Sequence, residues 1–207
     1  MDLGSVMEFG CGPYTQTRNI MERATNVSLD KISLLDTLLA YYESIPGCTY
    51  HESPFQALGN TYPTTFSNLS IEEWGRRADL ERKASDNPES VHKYDTVIFM
   101  NVLPYAQNAV EVLTTLHDAL KPNGLLIFHD RWYDDPARSS VCSAFDFNQN
   151  VLQVAKPLIF HFLSKFTREP YFSLEPTEQQ KHSAEWNCHD ASIDEEPGLY
   201  VAVRKTS

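Results

Sequence analysis

Ser5-Val6-Met7-Glu8-Phe9-Gly10-Cys11-Gly12-Pro13-Tyr14-Thr15 joins a short apolar run to a turn built on glycine and proline. The run has the length and composition of a buried β-strand. Two glycines at i and i+2 let the backbone bend sharply and leave room for a ligand where a Cβ would otherwise stand. From Thr15, a residue suited to an N-cap, a helical pattern runs to about Ala24. Strand, glycine turn and helix in succession open a βαβ unit, with the unpaired N–H groups of the helix start facing whatever lies beyond the strand.

Outward from this unit the same alternation continues. Val27-Ser28-Leu29-Asp30 reads as a second strand. Ile32, Leu35, Leu38, Leu39 and Tyr42 then predict an amphipathic helix that ends near Pro46-Gly47. Asp30 closes the predicted strand eighteen residues after Gly12. That is close to the roughly 20-residue spacing at which a carboxylate accepts hydrogen bonds from ribose hydroxyls. The stretch Gly47–Pro88 is rich in Pro, Ser, Thr and Asn, with one strand expected around Thr64–Leu69 and a short helix over Ile71–Arg77. Long irregular connections are uncommon in compact domains, so this one suggests a substrate-facing excursion.

Tyr94–Met100 is nearly continuous in apolar and β-branched residues, as a parallel strand buried on both faces should be. A helix over Ala106–Leu120 follows, stopped by Lys121-Pro122-Asn123-Gly124. Leu125–Phe128 is the next strand and leads into His129-Asp130-Arg131-Trp132-Tyr133. Lys156-Pro157 opens a helix through Phe166, and Gly198–Arg204 forms the last strand. Such alternation predicts an α/β fold: a doubly wound, mostly parallel, Rossmann-like sheet with helices on both faces, whose ligands bind beyond the carboxyl ends of the strands.

Composition narrows the function. The 207 residues, 42% of them hydrophobic, fit a single domain spanning 1–207. Seventeen basic against 28 acidic residues give a net charge of −11. A surface this negative repels phosphate backbones and anionic lipids, which argues against nucleic acid or membrane as partner. No uninterrupted apolar run reaches the roughly 18 residues of a membrane helix, and the opening residues carry no basic leader. Four scattered cysteines without a Cys-x-x-Cys read as reduced thiols of a cytoplasmic protein. Segment 169–196 holds eight acidic residues and one lysine and reads as a solvated acidic loop within the domain.

The glycine turn departs from a nicotinamide fingerprint at two points: Thr15 stands where a third glycine belongs, and Glu8 stands where an apolar residue is usual. A carboxylate there suits a cationic ligand group and repels a pyrophosphate. S-adenosylmethionine carries an ammonium and a sulfonium and no phosphate. The chain resembles the class I S-adenosylmethionine-dependent methyltransferases over most of its length. Glu8-Phe9-Gly10-Cys11-Gly12 resembles their E/D-x-G-x-G pattern, YDTVIFMNVLPY their central strand with its polar exit, and LHDALKPNGLLIFHD their helix-to-strand signature.

That resemblance implies S-adenosyl-L-methionine as cofactor. Gly10, Cys11 and Gly12 would line its methionine part, Glu8 would neutralise its ammonium, and Tyr14, at the position of a frequent third glycine, would lie against it. Asp30 would hold the ribose, Ser70 and Ile71 (with Glu72) would flank the adenine, and Asn101 would pass close to the sulfur. The family also has a lid helix ahead of its first strand. Here only Met1–Gly4 precede that strand, so either the chain is shortened at its start or another segment, with Gly47–Leu69 as candidate, covers the site.

Methyl transfer is an in-line displacement that mainly needs alignment, with a base only where the acceptor must lose a proton. His129 and Asp130, leaving the fifth strand, are placed for that proton, His129 first because its intrinsic pKa lies near neutrality. A histidine that merely caps the strand is the alternative. Tyr105 and Trp132, with Tyr133, are candidates for an aromatic acceptor wall. The acids Asp130, Asp134 and Asp135 read as a solvated loop and His182, Cys188 and His189 lack ligand spacing, so no metal is expected. The expected activity is methylation of a small molecule. A catalytically silent binding or scaffold domain and an NAD(P)-dependent reductase are the alternatives, and the oligomeric state is open.

Overall fold

A computed structural model describes residues 1–23, 27–42, 62–131, 144–146, 151–168 and 198–206. Trp132, the acidic segment 169–196 and most of Gly47–Leu69 lie outside these residues. The strands are β1 (Ser5–Phe9), β2 (Lys31–Leu35), β3 (Thr64–Ser67), β4 (Tyr94–Met100), β5 (Leu120–Arg131), β6 (Ala144–Asp146), β7 (Val151–Gln153), β8 (Phe166–Arg168) and β9 (Gly198–Lys205). The helices are α1 (Gln16–Arg23), α2 (Leu39–Tyr42), α3 (Ile71–Ala84), α4 (Ala109–Ala119) and α5 (Lys156–Leu163).

Seven strands form one sheet in the order β3-β2-β1-β4-β5-β9-β8, and β6 and β7 pair separately. β3, β2, β1, β4 and β5 are parallel, whereas β9 runs antiparallel to both β5 and β8. Met7, Phe9, Val97, Phe99, Leu126 and Phe128 bury one face of the sheet against α3, α4 and α5. Val6, Ile32, Leu34, Ile98 and Leu125 bury the other face, where Ile20 and Met21 of α1 pack. The doubly wound, mostly parallel α/β sheet expected from the sequence is therefore the fold. Successive connections leave β1 and β4 toward opposite sides of the sheet. The strand order reverses between these two neighbours, and in doubly wound sheets the ligand crevice lies at the carboxyl ends of such a pair.

The second βαβ step differs from its expectation. The strand is Lys31–Leu35, not Val27–Asp30, and residues 31–35 are not helical. Ile32 and Leu34 face one core and Leu35 the other, so the run is apolar because both faces of a central strand are buried. Over so few residues a doubly buried strand and a helix face have overlapping apolar spacings, and only pairing with β1 separates them. Among the described residues the expected helix is present only as α2, Leu39–Tyr42.

Other boundaries move for local reasons. α3 extends to Ala84, started by a capping box in which Ser70 Oγ accepts from Glu73 N and Glu73 returns a bond from Ser70 N. α4 begins at Ala109 because Asn108 caps it through Val110 N and Glu111 N, and a 3₁₀ turn, Leu103–Tyr105, fills the preceding space. α5 ends at Leu163, and Phe166 belongs to β8. β5 starts at Leu120, earlier than expected, and carries Asn123 at φ 59°.

At the amino ends of the strands Asp95 ties β4 to β1 and β5. Its carboxylate accepts from Ser5 N at 2.9 Å and Ser5 Oγ at 2.6 Å, and pairs with Lys121 Nζ at 2.8 Å. Partial burial pushes this carboxyl up, but the Lys121 ammonium and the Ser5 donors outweigh it and hold the pKa at about 2. The folded value lies below the unfolded one, so the stabilisation is complete above pH 3.8 and disappears as the pH falls toward about 2. Asp95→Asn is expected to lower the urea midpoint at neutral pH and to shrink the midpoint's fall across that acid window. Parallel pH profiles for variant and parent would refute this assignment.

Candidate functional site

Both connections at the crevice are fixed by hydrogen bonds to the neighbouring strand. After β1, Gly10 N and Cys11 N donate to Leu35 O at 2.7 and 3.2 Å, and Gly12 N donates to Asp36 Oδ2 at 2.9 Å. After β4, Asn101 N donates to His129 O at 2.9 Å. Val102 N and Leu103 N donate to Asp130 Oδ2 at 3.1 and 2.8 Å. Asn101 adopts φ 58°, a left-handed conformation that asparagine tolerates better than most residues and that recurs at functional sites.

The two glycines of the turn have separate reasons. Both have positive φ, 69° at Gly10 and 60° at Gly12. A Cβ on Gly10 would overlap the isopropyl group of Val102, so the loops after β1 and β4 touch there. A Cβ on Gly12 would meet no atom within 4 Å, so this backbone face is open. Cys11 turns inward and is buried with Val6, Ile32 and Ile98; only its backbone can line the crevice. Tyr14 stands exposed at the turn.

Glu8 is buried, on the sheet face that α1 covers. Its carboxylate accepts from Gln16 N at 2.7 Å, Thr17 N at 3.0 Å and Thr17 Oγ1 at 2.6 Å. It therefore caps the first turn of α1 instead of presenting its oxygens to the crevice. Burial pushes the Glu8 carboxyl above its ordinary value, opposed by these donors.

Asp30 does not close β2. It precedes the strand, at the amino end of the sheet, where its N–H bonds Gly4 O; that is the edge opposite the crevice. The acid at the carboxyl end of β2 is Asp36, which accepts from Gly12 N and, through Oδ1, from Leu38 N at 2.9 Å. Each carboxylate oxygen has room for a second donor. The available sequence signal for Asp36 is its position directly after Ile32-Ser33-Leu34-Leu35, once that run is read as a strand.

After β3, Ser70 spends its hydroxyl acceptor on the α3 cap, and Ile71 is buried in the core. Glu72 is buried too, its Oε1 accepting from Gln107 N at 2.9 Å and Asn108 N at 3.2 Å. This bond ties the start of α3 to the approach of α4. His129 is 8% exposed, on the same sheet face as Glu8, and Asp130 is fully buried on the other. Asp130, expected as a proton acceptor, instead anchors the β4 loop through two N–H groups. Tyr105 is 75% exposed. Gly10, Gly12, Tyr14, Asn101 and Tyr105 thus stand in the connections that leave the carboxyl ends of β1 and β4, and Asp30 stands at the other end of the sheet.

No family model matches the chain, and no curated protein matches it in sequence. Solved structures match its fold. One is the N-methyltransferase NodS from Bradyrhizobium japonicum WM9 in complex with S-adenosylhomocysteine, with a TM-score of 0.58 and 14% identity over 100% of this chain and 80% of NodS. Another is the 1,6-didemethyltoxoflavin-N1-methyltransferase of Burkholderia thailandensis with its substrate and S-adenosylhomocysteine, at TM-score 0.56 and 14% identity, covering 98% of this chain and 71% of that one. A third is the 4+2 cyclase SpnF, at TM-score 0.61 and 11% identity over 100% of this chain and 77% of SpnF. The chain has the fold of class I S-adenosylmethionine-dependent methyltransferases.

The glycine geometry gives a graded prediction. Gly10→Ala combines left-handed strain with overlap on Val102 and is expected to lower stability by about 2–4 kcal/mol. Gly12→Ala carries the strain alone, about 1–2 kcal/mol. Urea unfolding of both variants checks the order, which equal losses would contradict.

Proposed function

We propose that this chain binds S-adenosylmethionine in the crevice between the β1 and β4 exits and transfers its methyl group to a small-molecule acceptor. The observation that carries this reading is the closed start of α1 beside the open face of Gly12. A pyrophosphate would need the N–H groups of Gln16 and Thr17, which Glu8 already holds, and would meet a carboxylate. A phosphate-free, positively charged ligand faces neither obstacle. This disfavours the NAD(P)-dependent alternative.

The residues present fit the donor. Gly12 offers an unobstructed backbone face, and Asp36, already oriented by Gly12 N and Leu38 N, keeps acceptor capacity for ribose hydroxyls. Glu8 acts through α1, as the anchor of the turn. Asn101, held in its left-handed conformation, is the polar group at the β4 exit. S-adenosylmethionine supplies a methyl carbon on a positively charged sulfur. The chain's own contribution is alignment, and its fixed loops supply it without reorganisation. Asp130 holds the β4 loop and is not the proton acceptor. His129, 8% exposed at the carboxyl end of β5, is the candidate to take the acceptor's proton where one must leave.

The 1,6-didemethyltoxoflavin-N1-methyltransferase, solved with 1,6-didemethyltoxoflavin bound, supports a small-molecule acceptor. SpnF, named as a cyclase, has this fold too, so donor binding and methyl transfer need separate tests. The scattered cysteines fit a reducing compartment such as the cytoplasm. Among the described residues no helix is long and apolar enough to cross a membrane.

Calorimetry with S-adenosylhomocysteine and with NADPH tests the donor. Heat with the first and none with the second is expected. Asp36→Ala should weaken S-adenosylhomocysteine binding by about 1.5–3 kcal/mol, as loss of charged hydrogen bonds does. Asp30→Ala should leave it unchanged. The reverse order would restore the ribose role to Asp30, and absence of binding by the parent protein would end the donor reading. Release of labelled methyl to a metabolite panel then separates an enzyme from a silent binding domain.

A further inference from the structure

The chemical class of the acceptor follows from what the carboxyl edge exposes, given the donor reading above. Eight large apolar side chains are exposed among the described residues. Four of them, Tyr14, Leu38, Tyr41 and Tyr105, stand in the connections leaving β1, β2 and β4. These strands are adjacent in the sheet. The other four are dispersed over the amino terminus, an edge strand and two helices. Neighbouring strands lie roughly 4.8 Å apart, so three exits span about 10 Å, the length of a fused bicyclic ring system. Exposed apolar side chains gathered at one edge mark a binding surface where scattered ones do not.

Charge at this edge is one-sided. Stretches 10–15, 36–42, 68–70 and 101–108, which directly follow four of the five parallel strands, contain no lysine, arginine or histidine. Asp36 stands among them. β5 brings nearly buried His129 and then Arg131, whose side chain lies outside the described set. The basic residues of the strand region collect at the opposite end instead: Lys31 begins β2, Lys121 pairs with Asp95, and Arg204 and Lys205 close β9. A phosphate or carboxylate entering the crevice would leave water and find no cation in these four stretches. An aromatic ring would bury apolar area against tyrosines, and an attached ammonium would gain from the ring faces.

We propose that the acceptor is a flat, apolar molecule, neutral or cationic, that carries neither phosphate nor carboxylate. Tyr105 is its contact at the β4 exit.

Titration calorimetry on the full chain saturated with S-adenosylhomocysteine tests this with a matched set of probes: naphthol, naphthylmethylamine, naphthoate and naphthyl phosphate. The neutral and cationic probes are expected to bind at least about tenfold more tightly than both anions. Tyr105→Ala should weaken naphthol several-fold, whereas Tyr105→Phe, which keeps the ring, should stay within about twofold of the parent. Circular dichroism melting of both variants establishes that they fold. Three results would overturn the proposal: anions binding as tightly as naphthol, no probe binding to the saturated protein, or Tyr105→Ala binding naphthol as the parent does. Absence of heat from S-adenosylhomocysteine itself is a different failure, that of the donor reading, and removes this inference with it.

Discussion

Four carboxylates, each accepting two backbone N–H groups, hold the carboxyl edge of this sheet in one conformation. Glu8 takes the first turn of α1, Asp36 takes Gly12 and Leu38, Glu72 takes Gln107 and Asn108, and Asp130 takes Val102 and Leu103. Connections after parallel strands leave regular structure, so their N–H groups lose sheet partners where water is scarce. A carboxylate satisfies two such donors at once, and bonds to a charged acceptor are the stronger kind. Three of the four carboxylates are buried. Removing one would strand two N–H groups as well as lose its bonds.

This bracing bears on chemistry because methyl transfer needs alignment more than proton traffic. Loops already fixed by the protein's own carboxylates have little left to order when a ligand arrives. Under the proposed function the same bonds also choose among ligands. They occupy the amides that a phosphate would use and leave negative groups behind those amides. The turn consequently has the outline of a dinucleotide-binding loop and the opposite electrostatic preference.

How far the sequence reveals this depends on whether a residue's role is local. Residues Ser5–Phe9 and Tyr94–Met100 form the strands their apolar runs imply, since a strand buried on both faces is written in consecutive residues. The glycine turn is legible for the same reason: a positive φ is a property of one residue. Asp30 and Asp36 are different. Both are acids beside an apolar run, and they exchange roles when the strand shifts from Val27–Asp30 to Lys31–Leu35. Pairing of β2 with β1, residue against residue from Ser5 with Lys31 to Phe9 with Leu35, decides between them. That pairing is a long-range fact.

By itself, then, the chain of residues determined the α/β alternation, the glycine turn and the net negative charge, because periodicity, dihedral preference and net charge are carried by neighbouring residues or by simple sums. Tertiary structure alone decided which acid stands at the carboxyl end of β2, that Glu8 and Asp130 brace loops, and that Tyr14, Tyr41 and Tyr105 share one edge. A side chain's partner depends on which strand lies beside it and which face it leaves from, and both are set by packing across the whole sheet.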